Sequence, residues 1–246
     1  MKISIITATY NSSKTIKDTL ESVCKQTYPN IEHIVIDGNS KDGTQNIIKS
    51  YPHVAFFISE PDKGIYDALN KGYSKASGDV LGLLHSDDYF FDNEVVEKIA
   101  DAFLKYPEID AIYGDIVFVN DDQKIIRRYS SKNWKLEKMK IGKMPAHPSF
   151  FAKKEIYTKY PFNIKYKIAA DYDQILRVAL DKSFELKYVP ITTTCMRLGG
   201  ASTDGLKSNF LINKEILEIC KSNNYPTNYL KIYSKYPSRI LEFLRR

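Results

Sequence analysis

Four short apolar segments, separated by segments with helical spacing, dominate the first hundred residues of the chain. They are ISIITA (3–8), IEHIVID (31–37), VAFFIS (54–59) and VLGLL (80–84). Between them, apolar residues recur at intervals of three and four, as at Ile16, Leu20 and Val23. Strands that are apolar along their length and alternate with helices form parallel sheets covered by helices on both faces. The sequence therefore predicts an α/β fold with a mostly parallel sheet.

The second half of the chain loses this regular alternation. IDAIYGDIVFVN and KIIRRY, joined at DDQ, predict a hairpin, and IAADYDQILRVALDK predicts a helix. LKYVPITTTCMRLGGAS is extended, and two helical segments follow from about Leu206 and Asn228. Without an internal repeat or an obvious linker, we expect one compact domain over residues 1–222, with a mixed C-terminal half. A basic amphipathic helical tail is expected over residues 223–246.

A polar segment directly follows each of the first four predicted strands. The segments are TYN, DGNSKDG, EPDKG and HSDD. Because ligands of parallel α/β sheets bind beyond the carboxyl ends of the strands, these loops should lie along one edge and form a site.

Composition indicates the compartment and the kind of partner to expect for this site. No run of about 18 apolar residues occurs, and MKISIITATYN is typical of a first strand, so neither a spanning helix nor a signal peptide is predicted. The three cysteines, Cys24, Cys195 and Cys220, are widely spaced, which indicates reduced thiols in the cytoplasm. The formal charge of +6 is modest, and we expect no nucleic-acid partner.

Two familiar phosphate-binding motifs are missing from the loops. GNSKDGT carries Thr44 where a phosphate loop needs Lys, and no GxGxxG follows the first strand, so kinase, ATPase and dehydrogenase functions lose their main support. Asp87 and Asp88 instead close the fourth strand, and a hard divalent cation commonly binds one or two carboxylates together with substrate phosphates. The alternative role is a helix cap, but Asp92 and Asn93 lie closer to the next helix. The loops favour a metal-bridged diphosphate.

Five segments, in order, resemble the inverting family 2 glycosyltransferases of bacterial polysaccharide biosynthesis. They are SIITATYN, VIDGNSKDGT, SEPDKGIYDALNKG, LLHSDD and IAADYDQILR, and they cover about residues 2–200. The resemblance implies the Rossmann-like GT-A fold and Mg²⁺ or Mn²⁺ as cofactor. It also implies transfer of a hexose or N-acetylhexosamine from a UDP-sugar donor to a saccharide acceptor, in O-antigen or capsule biosynthesis.

The resemblance also implies roles for single residues. Those near the base and ribose of the nucleotide would be Thr7, Thr9, Tyr10, Asp37, Asp62 and Lys63. Asp87 would hold the metal, with Asp88 beside it, and Asp171 would be the general base. The family's DxD triplet often begins with Asp, whereas this chain has His85 there, which leaves a ribose contact at this position open.

The chemistry of an inverting transfer agrees with the role of Asp171. The acceptor hydroxyl must lose its proton during a single displacement, and a positioned carboxylate can take it. Asp173 lies four residues before Arg177, a spacing that favours an ion pair and leaves Asp171 available. The alternative for Asp171 is a charge that stabilises the helix N-terminus through the macrodipole.

Three further residues each have two interpretations. His147 in PAHPSFF faces the donor or acceptor, or is a hydrogen-bonded structural residue. Arg197 contacts phosphate, since the following glycines permit close approach, or forms a structural ion pair. Trp134 stacks on an acceptor sugar or fills the core, and the core is the simpler interpretation.

The end of the chain concentrates positive charge. Residues 225–246 hold five basic side chains against one acidic one, with apolar residues after Pro237. Such a segment can lie in a membrane interface, which would suit a lipid-linked acceptor at the cytoplasmic face of the membrane. The alternative is a terminal helix that packs its apolar stripe on the core.

Two other functions stay open at this point. A sugar-phosphate nucleotidyltransferase would use a similar α/β layer and metal carboxylates, but TATYNSSK lacks a Gly-rich phosphate cradle. A non-catalytic nucleotide-sugar binding protein would keep the base pocket and would not need Asp171.

Overall fold

The computed structural model describes residues 1–198 and 205–234, with side chains omitted at residues 205–207. Within these residues, nine strands form one sheet. The strands are β1 (Ile3–Thr9), β2 (Ile31–Asp37), β3 (Val54–Ser59), β4 (Val80–Leu83), β5 (Tyr89–Phe90), β6 (Ala111–Val119), β7 (Ile125–Tyr129), β8 (Phe151–Lys153) and β9 (Leu186–Arg197).

Eight α-helices connect or cover the strands in the described part of the chain. They are α1 (Ile16–Cys24), α2 (Thr44–Lys49), α3 (Ile65–Lys75), α4 (Val95–Lys105), α5 (Lys154–Lys159), α6 (Ala170–Leu180), α7 (Gly205–Ser222) and α8 (Tyr229–Tyr233). Two short 3-10 helices cover Leu136–Ile141 and His147–Ser149.

The first half of the sheet is parallel, as predicted. The strand order begins β3-β2-β1-β4, and each neighbouring pair runs in the same direction. Thr9 pairs with Asp37, which in turn pairs with Ser59, so the carboxyl ends of these strands lie in register. This register brings the polar loops that follow the strands to one edge.

The second half of the sheet is mixed, also as predicted. The order continues β8-β6-β9-β5, in which β8 runs antiparallel to both β4 and β6, and β9 runs parallel to β6. The predicted hairpin is present as β6 and β7. The short strand β8 therefore lies beside β4, the strand that leads into the loop of Asp87 and Asp88.

Alternate residues of the strands face two helical layers. Ile6 packs with α3, α5 and α6 on one face, whereas Ile3 and Ile5 pack with α4 on the other. Gly82 in β4 lets the ring of Phe151 in β8 pack closely against the β4 backbone, because a Cβ atom at residue 82 would lie 2.1 Å from that ring. Burial on both faces explains why the strand sequences are apolar throughout.

Residues 223–234 fold back onto the 3-10 helix Leu136–Ile141. Ile232 in α8 is 0% exposed, and the Tyr225 hydroxyl donates to the carbonyl of Leu136 at 2.7 Å. The predicted apolar stripe after Pro237 and most of the basic tail residues lie outside the described residues. No helix in the described ranges is both long and apolar enough to cross a membrane.

Candidate active site

The four polar loops meet at the predicted edge of the sheet. The Asn11 amide donates to Ser40 Oγ at 2.8 Å, which joins the first loop to the second. Ser12 and Ser86 share a hydrogen bond of 2.9 Å, which joins the first loop to the fourth. The third loop contacts the second, because Asp62 Oδ2 lies only 2.6 Å from where a Cβ of residue 38 would stand. Residue 38 must therefore be glycine for the loops to pack in this way.

The predicted nucleotide residues fall into two groups. Tyr10 is 65% exposed, Lys63 is also exposed, and Asp62 accepts a hydrogen bond from the Gly64 amide at 2.8 Å. Thr7, in contrast, is buried and lies 3.1 Å from the ring of His33. The structure thus brings the first group to the mouth of the site and places Thr7 behind it.

Asp37 belongs to the buried group. Its carboxylate accepts hydrogen bonds from the Ser40 amide at 3.0 Å and from the Ser59 hydroxyl at 2.5 Å, and it also bonds the Ser40 hydroxyl. Thr9 is buried as well, and its hydroxyl has no partner within the described chain. The base-binding roles of these residues stay predictions.

An open cleft of about 700 Å³ lies beside the first two loops. Sequence reasoning assigned no role to its lining residues, which are Asn11, Ser12, Ser13, Lys14, Thr15, Lys41 and Asp42. Its two lysines give the first two loops a cationic rim.

Asp87 and Asp88 differ in environment. Asp87 is half-buried, whereas Asp88 is nearly inaccessible, and one of its oxygens, Oδ1, accepts from the Arg197 amide at 3.1 Å. The other oxygen, Oδ2, is buried without a partner among the described residues. Burial and the neighbouring Asp87 charge raise the pKa of Asp88 well above its ordinary value. A buried carboxylate oxygen that lacks a donor is a fitting ligand for a hard cation.

The strand β5 separates this carboxylate pair from α4. Asp92, beyond the strand, accepts from the Glu94 amide at 2.9 Å at the start of that helix. Asp87 and Asp88 therefore do not cap the helix. Within residues 1–198 and 205–234, no three His, Cys, Asp or Glu side chains cluster as metal ligands. Cations bound by one or two carboxylates take their remaining ligands from substrate phosphates and water.

Arg197 holds the loop that carries these carboxylates. Its guanidinium donates to the Asp87 carbonyl at 2.8 Å and pairs with the Asp18 carboxylate of α1. The structural ion pair considered from the sequence is thus present. The glycines that follow Arg197 lie outside the described residues, and its contact with phosphate stays a prediction.

Asp171 lies in the first turn of α6 and is 8% exposed. Its Oδ1 accepts from the Tyr172 amide at 2.8 Å, and its Oδ2 lies 3.2 Å from His147 Nδ1. Burial raises the pKa of Asp171 to about 6. Asp173 is engaged elsewhere, in the predicted ion pair with Arg177 at 2.8 Å. Asp171 therefore has the environment of a general base that ionises near neutral pH.

His147 connects Asp171 to the loop of the carboxylates. Its Nε2 lies 3.1 Å from Nε2 of His85, two residues before Asp87. Burial lowers the pKa of each histidine to about 4, so both rings are neutral near pH 7. The sequence left His147 open between a residue that faces the donor or acceptor and a structural residue, and it gave no partner for it. It assigned no role to His85, whose only signal was its position in place of an Asp.

Tyr66 of α3 completes this group. Its hydroxyl lies 2.6 Å from the Ile168 carbonyl and 3.3 Å from Asp171 Oδ1. Sequence reasoning missed Tyr66 because an aromatic residue on a helix ordinarily indicates core packing.

Trp134 lies away from this group. Its indole packs edge-on against Tyr113, and its Nε1 donates to the Lys143 carbonyl at 3.3 Å. These contacts agree with the core interpretation of Trp134.

Comparison with known proteins gives a family match. The family described as "Glycosyl transferase family 2" matches residues 4–170. An uncharacterized glycosyltransferase of Mycobacterium tuberculosis is 36% identical over 183 residues, which cover 72% of this chain and 69% of the relative. A PGL/p-HBAD biosynthesis glycosyltransferase of Mycobacterium bovis is 25% identical over 87% of this chain and 82% of its own length.

Solved structures share the fold at low sequence identity. S. aureus TarS 1–349 in complex with UDP-GlcNAc has a TM-score of 0.69 at 20% identity, over 89% of this chain and 66% of that one. The mannosyltransferase PcManGT from Pyrobaculum calidifontis, in complex with GDP-Man and Mn²⁺, has a TM-score of 0.68 at 16% identity, over 94% and 66% of the two chains. The chain spans 40% of a longer TarS structure.

Proposed function

Because the chain belongs to glycosyltransferase family 2 and has the GT-A fold, we propose a specific reaction for this glycosyltransferase. It moves a hexose or N-acetylhexosamine from a UDP-sugar to a hydroxyl of a saccharide acceptor, with inversion at the anomeric carbon and with Mg²⁺ or Mn²⁺. The nucleotide-sugar complexes of TarS and PcManGT support the donor class, and the Mn²⁺ in the latter supports the cation. A role in O-antigen or capsule biosynthesis remains part of the proposal.

One observation carries this proposal. The contacts from His85 to His147 and from His147 to Asp171, at 3.1 and 3.2 Å, join the loop of the carboxylate pair to the first turn of α6. A transferase needs its leaving-group site and its base close together, and these contacts support such an arrangement.

The reaction follows from these positions. The acceptor oxygen attacks the anomeric carbon, the bond from that carbon to the UDP oxygen breaks, and UDP leaves with the bonding electrons. Asp171 takes the acceptor proton, for which its Oδ2 has a lone pair beyond the one directed at His147. An ionised Asp171 is required, so activity should rise with pH through the pKa of about 6.

Asp87 and Asp88 are the proposed ligands of the divalent cation. The cation would offset the negative charge that develops on the departing diphosphate. The observation from this structure that supports the assignment is the state of Asp88 Oδ2. This oxygen is buried and has no hydrogen-bond partner within the described residues.

The reaction is tested by UDP release. The purified chain with Mn²⁺ and a panel of UDP-sugars, with GDP-mannose as the control donor, should release UDP faster when a saccharide acceptor is added. Donors that bind will first be recognised by a rise in Tm, because ligands selective for the native state stabilise it. Binding without UDP release would indicate the nucleotide-sugar binding protein. In a separate reaction with UTP and a sugar 1-phosphate, pyrophosphate release would indicate the nucleotidyltransferase.

A lipid-linked acceptor is supported by a surface formed by α8 and the 3-10 helix Leu136–Ile141, here called the α8 surface. In α8, Leu230 is 84% exposed, and Tyr229 and Tyr233 are also exposed. The lysines of the α8 surface form no ion pair within the described residues; they are Lys135, Lys138, Lys140 and Lys231. Exposed apolar side chains beside four lysines and a single acidic side chain, Glu137, suit an anionic lipid surface.

The α8 surface is joined to the helix of the proposed base. The Tyr172 hydroxyl, next to Asp171, bonds the Met139 carbonyl of the 3-10 helix. In the proposed setting, a membrane bound at the α8 surface would hold the chain at the cytoplasmic face, where a lipid-linked saccharide is available.

Sedimentation with liposomes tests this surface. The intact chain should bind vesicles that contain anionic lipid, and binding should fall with salt. Leu230→Asp should weaken binding at least about tenfold, because it removes a side chain whose burial contributes about 1.5–3 kcal/mol. The matched control is Leu104→Asp, another exposed leucine, at 68% against 84% for Leu230, on α4 of the opposite helical layer. Equal binding by the two variants, or none by the intact chain, would contradict the membrane proposal.

A further inference from the structure

We propose that His147 is a positioning residue of the transfer reaction, which holds the Asp171 carboxylate through Nδ1 and fixes the tautomer of His85 through Nε2. This inference rests on the proposed function for its catalytic meaning, and on the 3.1 and 3.2 Å contacts of His147 for its structural part. It gives a role to two histidines that the mechanism above does not use.

The positions of the protons follow from Asp171. An ionised carboxylate only accepts hydrogen bonds, so His147 Nδ1 must carry the proton in the 3.2 Å contact with Oδ2. A neutral imidazole carries one proton, and His147 Nε2 is therefore the acceptor in the 3.1 Å contact with His85. His85 Nε2 must then be the donor.

Geometry leaves His85 Nδ1 as the acceptor nitrogen, because no acceptor within the described chain lies in reach to hold a proton there. This nitrogen is buried and has no hydrogen-bond partner within the described chain. It belongs to the loop of Asp87, where the DxD triplet of the family often begins with a carboxylate. A neutral histidine whose free nitrogen accepts can replace a carboxylate oxygen as an acceptor for a hydroxyl, provided that its tautomer is fixed. His147 and Asp171 fix it.

The groups around Asp171 leave His147 as the main side-chain donor to its carboxylate. From α3, Tyr66 directs its shorter contact to the Ile168 carbonyl and its longer one to Oδ1. The backbone amide of Tyr172 also donates a hydrogen bond to Asp171 Oδ1. Asp87 and His85 are the charged or titratable groups on the loop side, and the remaining lining near Asp171 is mainly Leu83, Phe150, Tyr157, Phe162, Gln174 and Ile175.

The tautomers can be measured without any substrate. The chain has four histidines, so ¹⁵N NMR of labelled protein at pH 7.5 can resolve every imidazole. We expect His147 protonated at Nδ1 and His85 protonated at Nε2, both neutral. His147 protonated at Nε2 alone, or a mixture of tautomers at His85, would overturn the inference whatever the protein catalyses.

Two variants of His147 separate its two contacts. The amide of Asn reaches the position of imidazole Nδ1, and that of Gln reaches the position of Nε2. His147→Gln should therefore lose the donor to Asp171. Its kcat should fall about 10- to 100-fold, in line with the loss of a hydrogen bond to a charged group, and the acid limb of its pH profile should move to higher pH. His147→Asn keeps a donor to Asp171, so its kcat and acid limb should change much less than those of His147→Gln, while its donor KM should rise.

The kinetic outcomes also distinguish this inference from the proposed function. If His147→Gln has the wild-type kcat and acid limb while Asp171→Asn is inactive, His147 does not position Asp171 and the base assignment stands. If Asp171→Asn is active, the base assignment fails, and the NMR result alone decides the tautomers. A melting temperature for each variant identifies loss of folding, and the opposite kinetic behaviour expected of Asn and Gln has no explanation in a purely structural role.

Discussion

Asp171→Asn will lower the rate of sugar transfer by at least about 10²-fold, the low end of the contribution of a general base. Asn keeps the size of the side chain and one acceptor oxygen for the Tyr172 amide, while its NH2 group would face His147 in place of the second carboxylate oxygen. The fold and the donor site should therefore persist. Asn cannot take the acceptor proton. The measurement is UDP release with a saturating donor, alongside donor binding by the rise in Tm.

The matched control is Asp173→Asn, the same change two residues along α6. Asp173 is buried and pairs with Arg177, so this variant should lose stability and keep most of its turnover at low temperature. Near-normal turnover of Asp171→Asn, together with an inactive and folded Asp173→Asn, would move the base assignment to Asp173.

Asp87→Asn will abolish the stabilisation of the protein by UDP and Mn²⁺. The half-buried Asp87 side chain contributes little to the core, so the Tm without ligand should barely change. Wild-type protein at a hundredfold excess of ligand over Kd should gain about 2.7 kcal/mol, a shift that thermal melting detects easily. Without this carboxylate, the protein loses both a negative charge and a ligand that would hold the cation, and with the cation it loses the diphosphate.

Asp92→Asn is the control for the metal assignment. Asp92 lies five residues after Asp87, beyond β5. It pairs with Lys98 at 2.9 Å and accepts a hydrogen bond from the Glu94 amide at the start of α4. This variant should keep the full UDP and Mn²⁺ shift. If Asp87→Asn keeps it as well, Asp87 is not a ligand of the cation.

Much of the fold was predictable from local patterns. The apolar strands and their helical connections predicted the parallel half of the sheet, because a strand buried on both faces has no polar positions. The mixed half was predicted from the loss of that alternation and from the hairpin joined at DDQ, residues 121–123. The strand order in that half was not predicted, since β8 has only three residues and pairs with strands far along the chain.

The candidate site, like the fold, was predictable from the sequence only in part. Parallel strands bring their carboxyl ends to one edge, so the sequence sufficed to predict that the loops of Tyr10, Asp37, Asp62 and Asp87 would meet. The environments of these residues were not predicted. Asp37 is enclosed by Ser40 and Ser59, and burial depends on packing that no local pattern encodes.

By itself the sequence determined the α/β class, the edge that carries the loops, the candidate carboxylates, and the Asp173–Arg177 pair. Each of these depends on residues close together in the chain, where the geometry of a strand or helix is enough. Only the tertiary structure decided that Arg197 pairs with Asp18, and that His147 stands between His85 and Asp171. The partners in these contacts lie 179, 62 and 24 residues apart, and the insertion of β8 beside β4 brings the His147 segment to the Asp87 loop. Hydrogen bonds between such distant side chains depend on strand order and burial, which a single sequence does not display.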